Sequence, residues 1–412
     1  MHTRVTFGVG IDAGALRAWK EGVIGLLLLC ALYLAITKPV LLKTIVSNKR
    51  FTTILITVIV GIGGTFLIHA LVIQDPVSRR AMAMRYDYLG FIIFLLGRGF
   101  ALHLGPLQSE KIIKRHGRVI KRVLLLALLL WCVVAIKPGT MKLFGFNNYV
   151  FEGTVGMQPP AVYYTHINYG LPRSQFLFER PTTFGFWLTA FFPFFFMQFL
   201  YRRKWQDTRA RRLIYALNII VTFSRAAWGS WIIIVVLCIG FTTTIPRKKL
   251  IVRYGIPLFG LFALILAVGR EQIALRGYSN YGHMTMVKRG VEMLVEKPLW
   301  GRGGSSAGPG SHREGGLAFN PENQFLQILI EFGSLGALPW LLIWCLLVYI
   351  GLFGPYRHQQ WAVALSLGMV SLTISGMVLH SFADRMIVYP FMIISGLALF
   401  SLRDKSGIKE GE

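Results

Sequence analysis

The chain is poor in acids: 412 residues include 18 Asp and Glu against 44 Lys and Arg, a formal net charge of +26. It is also poor in cysteine, with 4, and charged residues of either sign make up only 15%. Cys30, Cys132, Cys238 and Cys345 each lie inside an apolar run, which implies neither a disulfide framework nor a cysteine metal site. No Asp-x-Asp or His-Glu-x-x-His occurs and the nine histidines are scattered, so divalent-metal chemistry has no motif to rest on and no cofactor is implied. The Gly-rich stretch GRGGSSAGPGSHREGG (301–316) lacks the spacing of a phosphate-binding P-loop and follows no strand pattern. It reads first as a flexible link, and second as a loop closing over substrate with Arg313 as its anionic contact. Internal repeats are absent, and charges inside apolar runs are not paired between two halves as in an inverted-repeat transporter.

Apolar sequence is abundant instead. Hydrophobic residues make up 54%, more than one soluble core of this length would use, and runs long enough to cross a bilayer recur along the chain. The expected fold is therefore an all-α polytopic membrane protein, a single transmembrane domain over 1–412. Candidate spans fall at about 22–37, 52–73, 88–105, 122–136, 183–200, 211–224, 227–243, 254–268, 335–352, 361–379 and 387–402. Pro39 could divide a further short pair, giving about eleven or twelve helices. The long polar N-terminus and the lack of a small-x-small cleavage site imply an uncleaved first span.

The positive charge would make nucleic acid the first partner to consider in a soluble protein. Here it collects in short links, EKIIKRHGRVIKR (110–122), YRRKWQDTRARR (201–212) and PRKKLIVR (246–253), which mark cytoplasmic loops by the positive-inside rule. The bilayer is the expected partner and nucleic acid is not. Counting back from a cytoplasmic tail RDKSGIKEGE, two long polar stretches face outward, 137–182 and the larger 269–325. In the second, Val287, Val291 and Leu294 lie on one stripe of a loop helix, and long ordered loops are usually functional.

Titratable groups worth weighing cluster on that outward side. In NPENQFLQILIEFGSLG (320–336), Asn320 and Pro321 read as the N-cap and first position of a helix, with Glu322 and Asn323 in its first turn. Leu326, Leu329, Gly333 and Gly336 then continue one face. Glu322 there either complements the helix dipole, worth about 0.3–1 kcal/mol, or does chemistry. TFSRAAWGSW (222–231) places Arg225 at an outer membrane edge, where a guanidinium costs roughly 2.5 kcal/mol or more unless it finds an anion or water. Arg180 occupies the same position on the neighbouring span, and Arg270 and Arg276 flank the start of the second loop. Guanidinium forks match phosphate oxygens, so these arginines read as a site for a diphosphate lipid head group, against simple snorkelling. His283, at the head of the loop helix, is the second titratable group to bring beside Glu322; a lone loop histidine is as often merely solvated.

The ordered set GHMTMVKRGVEMLVEKPLWGRGGSSAGP, then ENQFLQILIEFGSLG, with SRAAW and ERPTTFGF before it, resembles the O-antigen ligase and polymerase superfamily of bacterial envelope glycosyltransferases over about residues 175–340. The resemblance implies a metal-independent C-type glycosyltransferase of the bacterial inner membrane. It would take glycan from an undecaprenyl-diphosphate carrier at the outer leaflet and face the periplasm or cell exterior. Lipopolysaccharide ligases of the family typically have Arg where His283 stands and His where Glu322 stands, so Gly-His with Glu-Asn and SSAGPGS look more like the polysaccharide polymerase branch.

On that reading Glu322 removes the acceptor proton and His283 orients it or a phosphate oxygen. Arg180, Arg225 and Arg313 hold the diphosphate, with weaker contributions from Arg270, Arg276 and Asn323. The partners implied are a lipid-linked glycan donor, a glycan acceptor and, as a candidate, a chain-length regulator. Two alternatives stay open: a ligase transferring glycan to lipid A core or protein, and, from another class, a lipid-linked oligosaccharide flippase, which would need no outer-loop base.

Overall fold

The structure, a computed structural model, describes residues 49–144, 172–178, 180–200, 206–241, 277–311, 319–354 and 356–399, with isolated positions in 25–37 and 252–263. The expected spans at about 22–37 and 254–268 and the Pro39 break lie largely or wholly outside the described residues, as does most of the first outward loop. Among the described residues every regular element is helical, and the chain is an all-α polytopic membrane protein.

The helices in chain order are α1 (Lys49–Ile68, extended by a π turn His69–Ile73), α2 (Val77–Asp87), α3 (Leu89–Ile136), α4 (Pro181–Leu200), α5 (Gln206–Ile220), α6 (Arg225–Phe241), α7 (Gly277–Glu296), α8 (Gly308–Ser311), α9 (Gln324–Leu352), α10 (Gln360–Gly376) and α11 (Arg385–Ala398). Among the described residues three segments are long and apolar enough to cross a membrane by themselves: Thr52–Ile73, Leu89–Ile136 and Gln324–Leu352. Shorter apolar helices at Pro181–Met197, Arg225–Phe241, Gln360–Gly376 and Arg385–Ala398 pack among them.

Two sequence-based expectations need correction here. The basic run 110–122 is not an irregular link, because α3 continues through it as helix. Seven of its thirteen residues are Glu, Lys or Arg, which favour helix, and Lys114 pairs with Glu110 one turn away at 2.7 Å. The real interruption is earlier, at Gly105 (φ 76°, ψ 172°), with Pro106 opening the next segment. Glycine past a helix end and proline at a helix start are the residues that such a junction favours. The second correction concerns α9, which does not carry its face unbroken from Leu326 to Gly336. Gly333 has φ 65° and ψ −177°, a conformation that side chains avoid, and divides a short first part, 324–332, from a longer membrane part, 334–352.

The Gly-rich stretch fills that break. Arg302 and Gly303 donate their amides to the carbonyls of Ile330 and Glu331 at 2.8 and 3.1 Å, and Ser334 and Leu335 donate to those of Pro298 and Leu299 at 2.8 and 3.3 Å. These bonds satisfy backbone groups that the helix loses, as a buried interruption requires. On its other side Gly304 donates to Asp75 Oδ2 at 2.6 Å, tying the stretch to the corner between α1 and α2. From Gly301 to Ser311 it is therefore a packed clamp and not a flexible link.

The core lies between α3, α4, α9, α10 and α11. α11 runs along α3, where buried Arg98 donates to the Leu399 carbonyl at 2.6 Å and caps the end of α11. Trp340 and Trp344 of α9 stack with centroids 4.8 Å apart, meet Phe382 edge-on, and receive Phe325 from the first part of the same helix. Offset and edge-to-face aromatic packing of this kind adds about 0.5–1.5 kcal/mol per pair beyond buried area. It fixes the start of α9, which carries the candidate site.

Candidate functional site

α9 begins three residues later than the sequence implies. Its N-cap is Asn323, whose Oδ1 accepts the Leu326 amide at 3.0 Å, and its first helical residue is Gln324. Asn320 instead closes a small turn, accepting the Glu322 amide at 3.0 Å. Glu322 thus precedes the cap and is not a first-turn acid. It has a left-handed backbone, φ 53°, which costs of order 1–3 kcal/mol for such a residue and is common at functional sites. The turn throws its carboxylate off the helix axis and toward α7.

There it meets His283. Nδ1 of His283 contacts Oε2 of Glu322, with the two side chains 41% and 27% exposed. The pair is therefore partly open to a ligand. The hydrogen bond to Glu322 raises the affinity of His283 for its proton above that of a free histidine; burial and the nearby charge of Arg225 oppose that rise. α7 is held in place by Met286, Val287, Met293 and Leu294, which pack on Leu326, Ile330 and Phe319.

Arg225, the first residue of α6, lies close enough for its charge to act on His283 and is half-buried. Its backbone is set by Ser224, whose Oγ accepts the Ala227 amide at 3.3 Å, and by Trp228, whose indole donates to the Ile219 carbonyl at 2.9 Å. The segment 172–178 is laid beside this turn: Ser174 donates to Val221 at 2.7 Å and Arg173 Nε to Thr222 at 3.0 Å. That brings exposed Arg180, immediately before α4, to the same end of the bundle as Arg225.

Asn323 has its amide engaged by protein, since Nδ2 also donates to the Met377 carbonyl at 3.2 Å. Arg270, Arg276 and Arg313 lie outside the described residues. The structure therefore joins Glu322, His283 and Arg225, and places Arg180 at the same end.

A buried polar layer one to two turns below the site was not singled out from sequence. Asp87 and Glu331, both essentially without exposure, lie beside each other. Gln324 and Gln327 donate to Asp87 Oδ1, each at 3.3 Å, and Gln324 Oε1 accepts the Ala383 amide at 3.2 Å. The backbone amides of Ser305 and Ala307 serve Glu331, so the layer also anchors the clamp. Amides at 324 and 327, three apart in an apolar helix, were its sequence signal.

No curated protein matches the chain. Residues 212–341, which contain Arg225, His283, Glu322 and the clamp, match the family model described as O-antigen ligase, and this match supports the placement of the chain in the O-antigen ligase and polymerase superfamily.

Proposed function

We propose that the chain polymerises oligosaccharide repeat units carried on undecaprenyl diphosphate, working at the outer face of the bacterial inner membrane. The observation that carries the reading is the contact of His283 with Glu322 beside Arg225, an imidazole, a carboxylate and a guanidinium assembled at one end of the bundle. The family match supports the coarser statement, a function of the O-antigen ligase or polymerase type.

In this mechanism a sugar hydroxyl of the incoming unit attacks the anomeric carbon of the growing chain. Glu322 takes the hydroxyl proton through Oε1. The new glycosidic bond forms as the bond from the anomeric carbon to the diphosphate oxygen breaks, and the electron pair leaves on that oxygen. Protonated His283, donating Nδ1–H to Glu322, presents Nε2–H to a phosphate oxygen. Arg225, with Arg180 and Arg313, balances the charge that a divalent ion would otherwise meet. A lipid diphosphate is already a good leaving group, so positioning, charge balance and one base suffice.

The rival is a ligase, whose acceptor would be a core lipid or a protein. A reducing-end assay on membranes separates them: lipid-linked repeat units are supplied, and the products are sorted by what their reducing ends are attached to. Long chains on the lipid diphosphate carrier are expected. Long chains found only on core lipid or protein would overturn the polymerase reading in favour of the ligase.

A further inference from the structure

The apolar residues of α7 divide into a packed set and an open set. Met286, Val287, Met293 and Leu294 pack on α9, whereas Tyr281, Met284, Val291 and Val295 form a second stripe that is open, with Tyr281 75%, Met284 70% and Val295 69% exposed. Positions 281, 284, 291 and 295 repeat at helical spacing along about 21 Å of helix. Lys288 completes the row, and its long stem can lie over apolar surface while the ammonium turns to water.

The stripe does not end with the helix. Leu299 and Trp300, also exposed, continue it, and the bond from the Leu335 amide to the Leu299 carbonyl sets them against the start of the membrane part of α9. From there exposed Leu335, Leu338 and Leu342 run down the outside of a helix that is apolar enough to cross a bilayer. The open face of α7 is thus continuous with a lipid-facing surface. A tyrosine and a tryptophan stand at its two ends, the residues that favour the boundary between acyl chains and head groups.

We propose that this face of α7 is seated in the bilayer leaflet on its own side, as an amphipathic interfacial helix, with phospholipid as its occupant. His283 follows Tyr281 by two residues on the same helix, so seating α7 sets the imidazole at head-group level. There the diphosphate of a lipid carrier would lie. That consequence rests on the proposed function; the seating does not, and its test reads depth without activity.

The test uses the full chain with its four native cysteines replaced, reconstituted in phospholipid nanodiscs. A nitroxide is attached at Met284→Cys, Val291→Cys or Val295→Cys, with exposed Arg289→Cys, about 120° round the same helix from the centre of the stripe, as the control. Accessibility to oxygen, which concentrates in lipid, is compared with accessibility to a water-soluble nickel complex. Oxygen should dominate at all three stripe positions and the nickel complex at Arg289→Cys, a pattern that follows the helical period. Nickel accessibility equal at all four positions would overturn the proposal. So would exclusion of both reagents from the stripe, which means that protein, such as a second copy, covers it.

Discussion

Glu322→Gln should lower the rate of in-vitro chain extension by about 10²–10⁴-fold, the range for loss of a positioned general base, while the protein folds and still binds donor. Glutamine keeps the shape and the same left-handed backbone demand, so folded stability should hardly move. Because Glu322 precedes the N-cap Asn323, a dipole role is worth at most about 0.3–1 kcal/mol. Loss of that charge interaction would leave the rate within about tenfold of normal, and such a result would remove the base assignment. Asp, shorter by one methylene, should keep a fraction of the activity set by reach. An independent readout is the titration of His283: without the Glu322 carboxylate, burial and Arg225 are left to act alone, and its pKa should fall. An unchanged His283 titration would mean that the contact does not persist in the working protein.

Arg225→Ala should insert and fold, yet lose about 10²–10³-fold in rate, the usual cost of removing one preorganised donor from a developing negative charge. Lys should rescue in part only, since an ammonium supplies charge without the bidentate fork. If Arg225 merely snorkels to water at the start of α6, Ala should retain nearly full activity. The His283 titration again gives a second measure: Arg225 opposes the imidazolium, so its removal should raise the His283 pKa further. A lost rate with an unmoved titration would place Arg225 away from the pair and assign its effect to the structure of the turn at 222–225.

The membrane class and most helix positions were legible because apolar runs and basic links report the bilayer directly. The approach of Glu322 to His283 was legible through the ordered motifs and not through either residue alone. Three features were hidden for physical reasons. Asn320-Pro321 is a good helix opening by local preference, but the Asn323 side chain caps in its place and leaves Glu322 in a left-handed turn that no propensity favours. The break at Gly333 is invisible in an apolar run, since it depends on the backbone of 298–303 arriving from outside to take up the freed bonds. The Asp87–Glu331 layer joins residues from distant parts of the sequence, and hydropathy shows only that each acid stands near apolar neighbours. The 301–311 stretch looks like a link for the converse reason: glycine marks flexibility in isolation, yet here it permits close backbone packing against α9 and Asp75.

The central claim is that His283 works as the protonated partner of a Glu322 base. It is tested most directly by the pH dependence of chain extension by the purified enzyme beside its His283→Gln variant, at saturating donor and acceptor. Glu322 raises the pKa of His283, so the imidazolium is present below that raised value and lost as pH climbs through it. The wild-type rate should therefore fall on the alkaline side at a pH above about 6.5, the ordinary histidine value, and the variant, slower throughout, should lack that fall. A wild-type rate that instead rises through the same range, with the rise abolished in His283→Gln, would make neutral His283 the base, return Glu322 to the part of its orienting partner, and contradict the mechanism.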